Sequence, residues 1–84
     1  IVKNLQQLTE RDRMEEFMFL GLRMMEGVSM EKFERYFGKP YMEVYGKVQK
    51  RMEDKRFLIN DNGYVKLTEF GIDLSNYVMS EFLF

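Results

Sequence analysis

The sequence predicts a mostly α-helical domain with a small β-hairpin, arranged like a winged helix: helix, short helix, helix, hairpin wing, helix. Apolar residues recur at helical spacing along most of the chain. An Asn-Gly pair between two short apolar runs is the strongest local signal of a tight hairpin. The length of 84 residues suits a single domain. Because an isolated hairpin is marginally stable in water, we expect it to pack on the helices.

The first predicted helix covers residues 10–26. Thr9 is its expected N-cap, because a threonine hydroxyl accepts hydrogen bonds from the amides of a first helical turn. Gly27 is its expected C-cap. The apolar stripe of this helix has the spacing of a buried face. It consists of Met14, Phe17, Met18, Gly21, Met24 and Met25, with Leu20 and Leu22 beside them.

The next two predicted helices form a helix-turn-helix pair. Ser29 is the expected N-cap of the short second helix, and Gly38 its expected end. Pro40 suits the first turn of the third helix, where a missing N–H costs nothing, and this helix runs to about residue 55. The predicted apolar faces are Met30, Phe33, Tyr36 and Phe37 in the second helix, and Tyr41, Val44, Tyr45, Val48 and Met52 in the third.

Two strands and a last helix complete the predicted domain. The strands lie on either side of residues 60–63, with Asn62 and Gly63 forming the turn because it needs positive φ angles. Thr68 is the expected N-cap of the last helix, and Gly71 allows its first turn to pack against the wing. The predicted face of that helix is Leu74, Val78 and Phe82, with Phe70, Tyr77 and Phe84 nearby.

Composition excludes several classes of active site within these residues. The chain contains neither cysteine nor histidine. It therefore lacks the ligands of common zinc sites and of cysteine-held iron–sulfur clusters, and it has no thiolate or Ser-His-Asp nucleophile. We predict no catalytic, cofactor-binding or metal-binding residue in this chain. No apolar run approaches the roughly 20 residues of a membrane span, and no signal peptide is visible.

The third helix offers an alternative function, because the second helix of a helix-turn-helix pair reads DNA. Its exposed side and its C-terminal end carry five basic residues against three acidic ones, and the wing contributes one more basic residue, Lys66. A protein that reads DNA neutralises about six or more phosphates. This charge balance therefore favours an ordinary solvent-exposed helix face, stabilised by a Glu43–Lys47 pair, over a DNA-binding surface. The basic residues are Lys47, Lys50, Arg51, Lys55 and Arg56, and the acidic ones are Glu43, Glu53 and Asp54.

Arg23 is the predicted contact residue, because it lies among apolar neighbours. Its guanidinium suits a carboxylate of a ligand or of a neighbouring domain. The favoured alternative is an ion pair with Glu26 or Glu16, since arginine is seldom buried without a partner. The eight methionines suit an adaptable binding surface, although core packing is favoured for most of them. The apolar residues at the end of the chain predict an interface with a neighbouring domain; they are Tyr77, Val78, Met79, Phe82, Leu83 and Phe84.

Several segments, taken in order, resemble the C-terminal domain of the oxygen-independent coproporphyrinogen III oxidase family of radical SAM proteins. The end of the chain, with Asn76, Phe82 and Leu83, is most similar to the haem-chaperone branch of that family. The segments are residues 15–28, the residues Phe33, Tyr36, Phe37 and Gly38, the pair Phe57 and Leu58, and residues 67–71 and 75–83.

This resemblance implies a larger parent protein. Its N-terminal radical SAM barrel would hold a [4Fe–4S] cluster on three cysteines and bind S-adenosylmethionine. The oxidase decarboxylates two propionates of a porphyrinogen, whereas the chaperone branch carries haem to acceptor proteins. The present residues, as a single accessory domain over residues 1–84, would cover the barrel without catalysing a reaction. Since the chain begins at Ile1, we expect the native start to lie upstream.

Two function classes therefore follow from the sequence. The first is a non-catalytic accessory domain of a cytoplasmic haem-pathway protein, whose partners are the barrel, and a tetrapyrrole or a haem-acceptor protein. The alternative is a stand-alone winged-helix regulator that binds DNA. The charge balance of the third helix favours the first class.

Overall fold

The computed structural model of the chain describes residues 9–83, and its architecture confirms the predicted mostly helical, winged-helix-like class. A predicted contribution from Phe84 lies outside these residues. The elements in chain order are α1 (Glu10–Leu22), β1 (Val28–Ser29), α2 (Met30–Phe37), α3 (Tyr41–Asp54), β2 (Leu58–Asp61), β3 (Tyr64–Leu67), α4 (Glu69–Asp73) and α5 (Ser75–Ser80).

Side-chain hydroxyls cap three of the helices. The Thr9 hydroxyl accepts from the amide of Asp12 at 3.1 Å, and the Asp12 carboxylate accepts from the amide of Thr9 at 3.1 Å. The Ser29 hydroxyl accepts from Lys32 at 3.1 Å. At α4, the Thr68 hydroxyl accepts from the amide of Gly71 at 3.0 Å. Each cap satisfies a first-turn N–H that has no partner inside its helix, which fixes where the helix begins.

The hairpin is the wing, and β1 joins it to make a three-stranded antiparallel sheet in the order β1-β3-β2. Asp61 pairs with Tyr64, so the loop has two residues, Asn62 and Gly63, with φ angles of 54° and 85°. Val28 of β1 pairs with Val65 of β3. The sequence did not predict β1, because two residues are too few to show alternation.

The core lies where α1, α2, α3 and the sheet meet, and its centre is aromatic. Phe33 is fully buried, with ring centroids 5.7 Å from Phe17 and 5.5 Å from Tyr41. Tyr45 and Phe82 meet at 5.1 Å and join α3 to the end of the chain. The buried apolar residues are Met14, Met18, Leu22, Val28, Phe33, Tyr41, Tyr45, Met52, Leu58, Val65, Val78 and Phe82.

The prediction for the end of α1 is wrong. The helix ends at Leu22 with Arg23 as its C-cap, so Gly27 lies beyond the helix and is not its cap. Gly27 instead adopts a φ of +82°, and a Cβ at this position would overlap the carbonyl oxygen of Val65. The chain must leave the helix early because Val28 has to reach β3 to pair with Val65.

The apolar faces of α1 and α2 are also narrower than predicted. Met24 and Met25 are exposed, because they follow the helix rather than continue it. Tyr36 of α2 is exposed and contacts the edge of the core through Phe17 and Phe37, with ring centroids 5.7 and 6.5 Å away. Pro40 lies one residue before α3, at the N-cap, instead of in its first turn.

The single helix predicted after the wing is broken at Leu74 into α4 and α5. The Thr68 hydroxyl, which caps α4 by accepting from the amide of Gly71, donates to the carbonyl oxygen of Arg56 at the base of the hairpin. Phe82, after α5, packs on Tyr45 of α3. One straight helix cannot make both of these contacts. The backbone of Leu74 is therefore not helical, and its side chain is exposed to solvent. Val78 and Phe82 are fully buried.

A polar chain along α3 was not predicted. The hydroxyl of Tyr41 donates to Oε1 of the buried Gln49 at 2.7 Å, and Nε2 of Gln49 donates to Glu53 at 3.0 Å. Burial raises the pKa of Tyr41, and the nearby Tyr45 and Glu53 raise it further. Both hydrogen bonds satisfy polar atoms that would otherwise be costly to bury.

Candidate docking surface

Arg23 lies at the end of α1, at the start of a turn that connects α1 to β1. We call residues 23–27 the methionine turn, after Met24 and Met25. The predicted ion pairs of Arg23 with Glu16 or Glu26 are absent: within residues 9–83, the Arg23 side chain has no ion-pair or hydrogen-bond partner. Its guanidinium is exposed, and a guanidinium that none of these residues binds suits an external carboxylate.

A first groove of about 370 Å³ lies on one side of the methionine turn. The end of α1 forms one wall, and the consecutive elements β3, α4 and α5 form the others, so two segments that are distant in sequence build the groove. Lys66 lies at this groove too, but its ammonium pairs with Asp61 at 3.1 Å. The lining residues are Leu22, Arg23, Met24, Met25, Lys66, Leu67, Ile72, Ser75, Asn76 and Met79.

A second groove of about 260 Å³ lies on the other side of Met24. Met24 lines both grooves and thus forms a ridge between them. The wall of the second groove comes from α1, β1, the start of α2 and β3, and it includes Phe17, Leu20, Lys32 and Tyr64. The two grooves and the ridge make one continuous surface that is largely apolar.

The basic residues of α3 are partly committed to contacts within the domain. Arg51 donates to Glu81 through Nε and Nη2, at 3.1 and 2.7 Å. Lys55 donates to the hydroxyl of Tyr77 at 2.8 Å, and its ammonium lies 5.2 Å from the centre of that ring. Two of the five cations considered for phosphate contact therefore stabilise the packing of α5 on α3.

Of the other residues singled out from the sequence, Gly27 and Ser29 line the second groove, whereas the rest lie at helix ends and turns outside both grooves. Gly38 ends α2 with a φ of 71°, and Asn62 and Gly63 form the wing turn. Gly71 is buried, and a Cβ there would overlap the carbonyl oxygen of Phe57 at the base of the hairpin. Thr68 donates to the carbonyl oxygen of Arg56 at the same place.

The methionines divide between core and surface. Met14, Met18 and Met52 are buried and Met30 and Met79 are half-buried, whereas Met24, Met25 and Met42 are exposed. Met25 is 98% exposed, more than any other large apolar side chain of the described residues. The spacing of Met24 and Met25 in the sequence predicted that they lie on the buried face of a helix. They are surface residues because α1 ends before them.

The predicted apolar interface at the end of the chain is partly absorbed into the domain, although Leu83 is exposed and Phe84 lies outside the described residues. Val78 and Phe82 are in the core, and Tyr77 packs edge-on against Phe57 at 5.9 Å. Exposed apolar side chains also lie at the methionine turn, with Met24 and Met25, and around α4, with Phe70, Ile72 and Leu74. None of the helices within residues 9–83 has the length and apolar character needed to cross a membrane.

Residues 9–83 contain no group of three acidic side chains placed to hold a metal ion. The surface at the methionine turn consists of an apolar ridge, two grooves and the Arg23 guanidinium, which has no partner within residues 9–83.

Comparison with known proteins identifies the family. The model of the HemN C-terminal domain matches residues 8–74, most of the chain. The chain belongs to the HemN C-terminal domain family. This confirms the resemblance drawn from residues 15–28 and the later segments.

Two relatives carry the same name, heme chaperone HemW. The protein from Lactococcus lactis subsp. lactis (strain IL1403) is 36% identical over 80 residues, which cover 95% of this chain and 21% of the relative. The protein from Bacillus subtilis (strain 168) is 35% identical over 77 residues, covering 92% of this chain and 20% of the relative. The chain thus spans about a fifth of the length of these relatives. No solved structure matches it significantly.

Proposed function

We propose that this chain is the non-catalytic C-terminal domain of a cytoplasmic, haem-handling radical SAM protein of the haem-chaperone branch. The observation that carries this proposal is that two proteins named heme chaperone HemW match nearly the whole chain at 35–36% identity. Because the match covers about a fifth of each relative, the remaining machinery belongs to the rest of the parent protein.

The amino-acid composition indicates which part of the parent protein would hold the cofactors. The chain has no cysteine, so the three cysteines of a radical SAM cluster must come from the N-terminal barrel. That barrel would hold the [4Fe–4S] cluster and S-adenosylmethionine. The present domain then acts as a rigid cover, with a close-packed aromatic core at Phe33 and a recognition surface at the methionine turn.

Within this function, Arg23 contributes a carboxylate contact. Its guanidinium has five N–H donors and no internal acceptor among residues 9–83. The acceptor is either a propionate of a tetrapyrrole or a carboxylate of the neighbouring barrel, and both would form charge-assisted hydrogen bonds.

The test uses the full-length parent protein, purified and reconstituted with iron and sulfide without oxygen. We expect the electron paramagnetic resonance signal of a reduced [4Fe–4S] cluster and a saturable change in haem absorbance on titration. A chaperone binds haem without decarboxylating coproporphyrinogen III, whereas an oxidase consumes S-adenosylmethionine and forms the decarboxylated product. A full-length protein that neither assembles a cluster nor binds haem would overturn the proposal.

The Arg23→Ala variant of the full-length protein distinguishes whether Arg23 binds a tetrapyrrole propionate or a carboxylate of the barrel. Weaker haem binding with unchanged thermal stability would indicate a propionate, and lower thermal stability with unchanged haem binding would indicate the barrel. Lys50→Ala is the matched control, because Lys50 is an exposed cation on α3, away from both grooves. An Arg23→Ala variant that changes neither property would exclude a role for this residue.

A further inference from the structure

The methionine turn presents its apolar side chains from a fixed backbone. The amide of Met24 donates to the carbonyl of Gly21 at 3.1 Å, and the amide of Gly27 donates to the carbonyl of Met24 at 3.1 Å. Gly27 lies directly on the backbone of Val65, where no larger residue fits. A surface that is ordered before binding loses less conformational entropy on binding, so this turn is built to dock.

Exposure at the turn is unusual for such an ordered segment. Met25 is 98% and Met24 61% exposed, although neighbouring Leu22 and Val28 are buried. Contiguous apolar surface of this kind marks an interaction site, and methionine adapts its shape to irregular partners. The grooves on either side of Met24 extend the surface over α1, β1, β3 and α5.

Charge at the first groove indicates the chemistry of the partner, because the second groove carries one acidic and one basic residue, Glu26 and Lys32. Arg23 has no internal partner among the described residues, whereas Lys66 in the same groove is already paired with Asp61. On the α3 side of the domain, Arg51 and Lys55 have their partners in Glu81 and Tyr77. An unpaired guanidinium at an apolar groove fits a carboxylate carried by an apolar segment.

We propose that the methionine turn and its two grooves dock onto the N-terminal part of the same polypeptide, through an apolar segment with a carboxylate that pairs with Arg23. This docking mode presupposes the barrel assigned under the proposed function. About four-fifths of the relatives' length lies outside this match, which provides the partner within one chain. A covalent tether gives the partner an effective concentration of about millimolar, so shallow grooves suffice for stable contact.

The experiment places the photo-crosslinker p-benzoylphenylalanine at position 25 of the full-length protein. The side chain of Met25 is almost fully exposed, so the exchange leaves the core intact. A second protein carries the crosslinker at Lys50 on α3 as the matched control. After irradiation, mass spectrometry identifies the crosslinked peptides, and gel electrophoresis separates crosslinks within one chain from those between chains.

We expect position 25 to crosslink within one chain to a peptide of the N-terminal part, and position 50 to give little product. Adding Arg23→Glu to the position-25 protein should remove most of that product, because it places like charges in contact. Crosslinks from position 25 only to a second copy, or a yield equal to that of the control, would overturn the docking proposal. A protein that still binds haem and assembles its cluster in that case would leave the proposed function standing.

Discussion

Replacing Gly27 by alanine tests the structure of the methionine turn, and Gly38→Ala provides a matched control. Both glycines have positive φ angles, +82° and +71°. Any L-residue held in this region loses about 1–2 kcal/mol relative to glycine. The two sites differ in space: a Cβ at Gly38 meets no atom within 4 Å, whereas a Cβ at Gly27 overlaps the carbonyl of Val65.

The expected costs follow from this difference. Gly38→Ala should lower the free energy of unfolding by about 1–2 kcal/mol, from the backbone conformation alone. Gly27→Ala should cost about 1–3 kcal/mol more, because the overlapping atom is backbone and forces β3 away from β1. For a domain of this size, each kcal/mol lowers Tm by about 4–8 °C.

Urea denaturation of the 84-residue chain, followed by far-ultraviolet circular dichroism, measures both values, and a thermal scan gives the Tm shifts. The larger loss must belong to Gly27→Ala. Equal losses for the two variants would refute the close packing of Gly27 on Val65, and with it the fixed geometry of the methionine turn.

Three further predictions concern α3. Arg56→Gly should raise the free energy of unfolding by up to about 1 kcal/mol, because Arg56 follows the C-cap of α3 with a φ of 64° that glycine adopts more easily. A lower free energy of unfolding in urea denaturation would contradict this. Stability should fall above about pH 10, where tyrosine ionises when unfolded but the buried Tyr41, whose pKa is raised, keeps its proton. Tyr41→Phe should flatten that fall, and an unchanged slope of unfolding free energy against pH would refute the assignment. The 84-residue chain should not bind duplex DNA through many phosphate contacts. A protein that binds in that way loses about 10³-fold in affinity between 50 and 200 mM salt. Such a loss, measured by fluorescence anisotropy, would support the DNA-binding regulator instead.

Local chemistry explains which parts of the fold the sequence predicts. Thr9, Ser29 and Thr68 mark helix starts because a cap depends on one hydroxyl and amides three residues away. The wing turn at Asn62 and Gly63 is equally local. These interactions lie within four residues, so they can be recognised without knowledge of the tertiary structure.

The features that were missed depend on contacts between distant segments. The end of α1 is set by the pairing of Val28 with Val65, and the break at Leu74 by attachments to two different elements. The candidate docking surface exists because α1 ends early. Arg23 was recognised as a contact residue, but the exposure of Met24 and Met25 required knowing that α1 stops at Leu22.

Sequencing the native coding region upstream of the codon for Ile1 tests the central claim most directly. We predict a continuous open reading frame that supplies the remaining four-fifths of the relatives' length and contains the pattern Cys-x-x-x-Cys-x-x-Cys. A start codon immediately upstream, with no barrel-encoding frame, would contradict the accessory-domain account.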